Sequence, residues 1–158
     1  MLLPLFQTLE ASAIGEAIRN SLWLFPAIEA CHLLGLAVIG GAILVVDFRL
    51  LGLGLRGHSV SRLARSVQPW VVGSVAVMIA SGVPLFLAEA IKCYYSFAFW
   101  TKMTALLFAL GFTFTVRRSV SLAPDGRFTP AWNKAVALIS LALWSTVGWG
   151  GRWIGFSG

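Results

Sequence analysis

The sequence predicts an all-α integral membrane protein: a four-helix bundle preceded by an N-terminal amphipathic helix lying in the membrane interface. Three observations carry this. Hydrophobic residues make up 58% of the 158 residues and charged residues only 11%, against about 25% charged in soluble domains. So few charges cannot cover a soluble fold of this size, so lipid is the solvent for much of the surface. Four long apolar runs are separated by short polar segments. None of them alternates with the period of two that a lipid-facing strand shows, and a helix satisfies its own backbone groups where water is absent. The length suits a single domain, 1–158.

Residues 5–19 read as the interfacial helix. Leu5, Phe6, Leu9, Ala13, Ile14, Ala17 and Ile18 recur at three- and four-residue steps, with Gln7, Ser12, Glu16 and Arg19 mostly elsewhere. The expected spans are about 22–51, 69–90, 97–116 and 132–156. The first opens with Trp23 and Phe25 and has Pro26 near its start, where a missing N–H costs least. It closes at Asp47-Phe-Arg49-Leu-Leu-Gly52. Gly82 and Pro84 interrupt the second, and Lys92-Cys93-Tyr94-Tyr95 forms a short turn. Arg117-Arg118 closes the third, and Pro124-Asp125-Gly126 marks a turn before the fourth. The seven Trp concentrate near the expected interfaces.

Net charge is +6, from twelve Lys and Arg against six Asp and Glu. The basic residues form no stripe with stacking aromatics, so nucleic acid is not an expected partner. They gather instead in two loops. Arg49, Arg56, Arg62 and Arg65 flank the first loop, and Arg117, Arg118, Arg127 and Lys134 the third. Both loops are expected in the cytoplasm, which places both termini in the periplasm of a bacterial inner membrane. The first residues lack a basic n-region, so a cleaved signal peptide is not expected.

Polar groups inside a bilayer are costly and mark function by default. At ~1.5 Å rise per residue, Glu29, His32, Glu89, Lys102 and Arg152 fall in one layer near the periplasmic face, each helix giving at least one. Glu29 and His32 share a helix face at i, i+3. Glu-x-x-His is the helix motif of di-iron bundles, but those need two such motifs and two further Glu. His32 is also the candidate axial ligand of a haem b, with Lys102 or Arg152 for the propionates and Met103, at similar depth, as a second ligand. His58 lies roughly 25 Å away in depth, so a bis-histidine haem within one chain is excluded. The plainer reading makes His32 a hydrogen-bonding link between helices and Lys102 and Arg152 snorkelling side chains. Asp47 is expected to lock onto Arg117 or Arg118 at its own depth. Cys31 and Cys93 lack metal-pair spacing, and a bridge between them needs Cα atoms within ~7 Å.

The stretch Glu29-Ala-Cys-His32-Leu-Leu-Gly35, with Gly40-Gly41, Asp47-Phe-Arg49-Leu-Leu-Gly52, Trp70, Phe99-x-x-Lys102 and Gly151-Arg152-Trp-Ile-Gly155, resembles an uncharacterised bacterial family of small four-helix membrane proteins with no assigned activity. More distantly, the architecture resembles the membrane domain of copper-resistance protein D and b-type cytochrome bundles, which would imply copper handling or haem. Met78 and Met103 do not form the thioether cluster that Cu(I) prefers.

The expected function is that of a membrane subunit or ligand-binding protein with a polar pocket at the periplasmic face. Haem b electron transfer is the alternative, and small-solute or metal transport by an oligomer the second alternative. No activated nucleophile is evident, so an enzyme is not expected beyond an electron-transfer subunit. The lipid bilayer is the expected partner, with a periplasmic protein, a larger membrane complex or a second copy of the chain beside it.

Overall fold

The computed structural model describes residues 2–54, 57–124 and 126–154. Arg56, Asp125 of the expected turn and the expected end of the fourth span at 155–156 lie outside them. The described residues are helical throughout, joined by short turns.

The expected helix over 5–19 is two helices, α1 (Leu3–Glu10) and α2 (Ala13–Arg19). The break has a local cause. Ser12 is extended, and its hydroxyl accepts from the Gly15 N–H at 3.3 Å, starting a new helix. The pair sits on the corner between α4 (Val60–Ala88) and α5 (Ala90–Tyr95). Phe6 is buried there, with ring centroids 5.5 Å from Phe86 and 5.2 Å from Tyr94. Glu10 Oε2 accepts from the Ile91 N–H at 2.6 Å. Arg19 donates to Ala88 O at 3.1 Å and to Glu10 O at 2.7 Å. Otherwise orphaned backbone groups at the end of α4 and the start of α5 are thereby satisfied by side chains from the N-terminal pair.

Helix α3 spans Leu24–Leu51 and ends at Gly52, whose φ of 81° suits a residue without Cβ. Helix α4 begins nine residues before the expected 69. Ser59 caps it by accepting from the Arg62 N–H, so much of the stretch expected to link the first two spans is helix. The helix also continues through Gly82 and Pro84 to Ala88. Beyond α5, Ser96 caps α6 (Phe97–Phe112). A π-helical turn, Thr113–Arg117, carries the chain into α7 (Arg118–Leu122), so the third long helix passes Arg117-Arg118 rather than ending there. Helix α8 covers Pro130–Ile154.

Leu24–Leu51, Val60–Ala88 and Phe97–Leu122 are long and apolar enough to cross a membrane. The protein is therefore an all-helical membrane protein. Helix α8 has 25 residues, but Trp149, Gly150, Gly151, Arg152 and Trp153 make its last turns less apolar. It packs along both α3 and α6. Ile39, Ile43, Met78, Ala105, Ala109, Trp144 and Val147 form one buried cluster where α3, α4, α6 and α8 meet. A second, of Val46, Leu50, Ala64, Val120, Val136 and Ala137, fills the opposite half. Leu34, Ile79, Leu107, Phe108 and Leu138 stand exposed in the middle of the long helices, an apolar exterior that only lipid would solvate.

Candidate functional site: a polar layer beside the N-terminal helices

Because the long helices alternate in direction, the start of α3, the end of α4, the start of α6 and the end of α8 share one end of the bundle, beside α1 and α2. The half-buried His32 faces α4 there. Its Nδ1 lies 2.9 Å from Ser81 Oγ, and Ser81 Oγ lies 2.6 Å from Val77 O. The carbonyl takes the serine's single proton. The contact then runs from His32 Nδ1–H to Ser81 Oγ. Small residues make room for the ring. A Cβ on Gly82 would come within 3.1 Å of His32 Cε1, and one on Gly35 within 3.0 Å of Met78 Cγ, so the two glycines set the approach of α3 to α4.

Lys102 lies across from this ring, on α6, close enough for its charge to act on His32. Its stem runs over the glycines of α8. A Cβ on Gly150 would meet Lys102 Cβ at 3.1 Å, and one on Gly151 would meet Lys102 Nζ at 3.4 Å. Among the described residues Lys102 has no ion pair. Arg152 follows directly, in the exposed last turn of α8.

The carboxylates expected in this layer turn elsewhere. Glu89 sits 3.7 Å from Lys92, one turn away on the same short segment. Glu29 is exposed, because the inward line of α3 runs through His32, Gly35, Ile39 and Ile43, and Ile28 rather than Glu29 continues it. Met103, 37% exposed, points outward from α6 and does not face His32. No three His, Cys, Asp or Glu side chains gather to hold a metal ion among the described residues. A metal on His32 would thus need ligands from elsewhere.

Cys31 is exposed and Cys93 buried, and both are free thiols. Burial first, and the neighbouring Glu89 carboxylate second, push the Cys93 thiol up to about 11. It is protonated at neutral pH and is no activated nucleophile. Sequence reasoning missed Ser81 and Cys93 as members of this layer. Ser74 and Ser81, seven residues apart on the buried face of α4, were the available signal.

A second polar group lies at the opposite end. Arg117 Nε donates to Asp47 Oδ1 at 2.7 Å, and Nη2 donates to Ile43 O at 3.2 Å, both residues being buried. Trp144 Nε1 donates to Thr113 Oγ1 at 3.0 Å. Thr113 and Arg117 are the first and last residues of the π turn. The Ser140 hydroxyl lies beside the Asp47 carboxylate, but neither it nor Asp47 Oδ2 reaches good hydrogen-bond geometry among the described residues. A cavity of about 40 Å³, room for a water or two, opens a turn away between Leu50, Val120, Phe128 and Asn133.

Fold and polar layer together describe a helical membrane protein with His32 and Lys102 at one end of its bundle. The chain belongs to the family of unknown function DUF6644, whose model matches residues 7–157. No curated protein and no solved structure matches it.

Proposed function

We propose that the protein is a ligand-binding membrane protein, working alone or as a subunit of a larger complex, whose site is the layer around His32 and Lys102. The observation that carries this is the anchored imidazole. The chain from His32 Nδ1–H through Ser81 to Val77 O holds the ring by one nitrogen, as ligand-holding histidines are commonly oriented. Ser81 and Gly82 lie against it and Lys102 across from it, in place of Glu29 and Glu89. In this reading α8 is a fourth span: 25 residues reach ~37 Å as a helix, and its Leu138 and Ile139 are as exposed as the outward residues of the other three.

The layer then faces the periplasm across a bacterial inner membrane, with α1 and α2 in the interface. Arg49, Arg62, Arg65, Arg118, Arg127 and Lys134 lie at the opposite, cytoplasmic end. A cysteine placed at Ser59 or at the exposed Ser119, with Cys31 and Cys93 replaced by Ser, is expected to resist a membrane-impermeant maleimide in intact spheroplasts and to react after lysis. Labelling of either site from the outside would invert the topology.

Haem b is a specific second reading, because an imidazole oriented by a hydrogen bond through one ring nitrogen could hold the iron. The residues fit in part. Lys102 and Arg152 would pair with the haem propionates, while Met103, turned outward, would take no part. Bound haem would supply one-electron chemistry, and His32 would hold it.

One experiment separates the readings. The protein is purified in mild detergent from cells supplied with haem, then examined by native mass spectrometry and by oxidised and dithionite-reduced spectra. A bound small molecule is expected that His32→Ala loses and His58→Ala keeps. A Soret band with sharp reduced bands would identify it as haem. An unchanged bound species in His32→Ala, or none in the parent protein, would remove the site from consideration.

A further inference from the structure

Resting on that reading of the site, we infer that its ligand is an oxyanion, a phosphate or carboxylate group entering between α6 and α8. The charges of the layer decide this. Its inward-facing positive group is Lys102, on α6 across from His32; Arg152, like Glu29, stands in an exposed position. Of the carboxylates, Glu89 is occupied by Lys92 at 3.7 Å and Glu29 stands on the exposed side of α3. The Cys93 thiol is neutral below about 11 and adds no negative charge. A half-buried ammonium with no ion pair among the described residues is costly where water is scarce, and an incoming anion offsets that cost.

The glycines give the anion its approach. Gly150 and Gly151 present bare backbone to the lysine stem, and a Cβ at Gly151 would fill the space 3.4 Å from Lys102 Nζ. The site thus offers a point charge beside an open helix face. Trp149 and Trp153, with ring centroids 5.2 Å apart on the same turns, flank this entry as an interfacial anchor. The anion can come from an anionic lipid headgroup or from free phosphate, and both use the same contacts.

The test reconstitutes the full chain in nanodiscs of mixed phosphatidylglycerol and phosphatidylcholine. Native mass spectrometry then measures which lipid the released protein retains. Phosphatidylglycerol is expected to be kept about tenfold over phosphatidylcholine, Lys102→Gln to abolish the preference, and Lys102→Arg to preserve it. Equal retention of the two lipids, with a rise in thermal midpoint in millimolar inorganic phosphate that Lys102→Gln lacks, would assign the site to a free anion and also support the inference. Equal retention with no response to phosphate overturns it. Should Lys102→Gln fail to fold, the lipid preference and phosphate response of the parent protein and Lys102→Arg still decide. A His32-dependent bound molecule that is uncharged would leave the ligand-binding reading standing while removing the anion, so the two ideas fail separately.

Discussion

Arg117→Ala is expected to destabilise the protein by about 3–5 kcal/mol, the cost of leaving one partner of a buried ion pair uncompensated. Asp47 is fully buried and Arg117 nearly so, and the guanidinium supports two groups of α3 at once, the Asp47 carboxylate and the Ile43 carbonyl. Removing it strands a carboxylate whose other oxygen already lacks a hydrogen bond among the described residues. The double variant Asp47→Leu/Arg117→Leu is expected to recover most of the loss, because two apolar side chains of similar reach carry no desolvation penalty. Thermal unfolding in detergent, followed by tryptophan fluorescence, measures both. Trp144, anchored to Thr113 on the same π turn, is one of the seven tryptophans that contribute to the signal. If the double variant is as unstable as the single one, the pair does more than neutralise itself, and the π turn would depend on the arginine for its geometry.

That pair shows how far the sequence could be read. Depth along the helices put Asp47 level with Arg117 and Arg118, since rise per residue is fixed. Which arginine turned inward was a matter of rotation, and rotation was altered by a feature with no sequence signature. Four-residue steps in an α-helix drift by about 40°. The wider π turn brings Arg117 back into line with Thr113 and, above it, Ala109. The polar layer divides in the same way. Depth brought Glu29, His32, Glu89, Lys102 and Arg152 to one end of the bundle, but facing decided which of them meet. His32 found Ser81, a residue that in an apolar run reads as packing, while Glu29, sharing a turn with His32, lies off the inward line. Apolar periodicity made the N-terminal segment legible, yet not its break, because one hydroxyl at Ser12 decides where the second helix begins. The Arg62 N–H likewise turns on the Ser59 hydroxyl, which starts α4 well before its apolar run.

Gly15→Ala carries the other large effect, and it acts at a distance from both polar groups. A Cβ on Gly15 would lie 2.6 Å from Leu87 O and 2.7 Å from Glu10 O, backbone atoms that cannot swing aside. Helix α2 must therefore lift from the last turn of α4. Lifting it also draws Arg19 from Ala88 O and disturbs the Glu10 contact with the Ile91 N–H. Overpacking of this kind costs about 1–3 kcal/mol, and the lost caps add to it. The loss is expected to concentrate in α1, α2 and the α4–α5 corner, read as faster amide exchange or protease cleavage within residues 3–19 while the long helices stay protected. Gly73→Ala is the control: nothing lies within 4 Å of its added Cβ, and it is expected to be neutral or slightly stabilising. Glu89, Cys93 and the start of α6 lie directly beyond that corner. Gly15→Ala is therefore also expected to weaken whatever the His32–Lys102 layer holds, although the substituted residue touches no member of it. Retention of the ligand in a variant whose N-terminal helices exchange freely would show that the layer stands on the long helices alone.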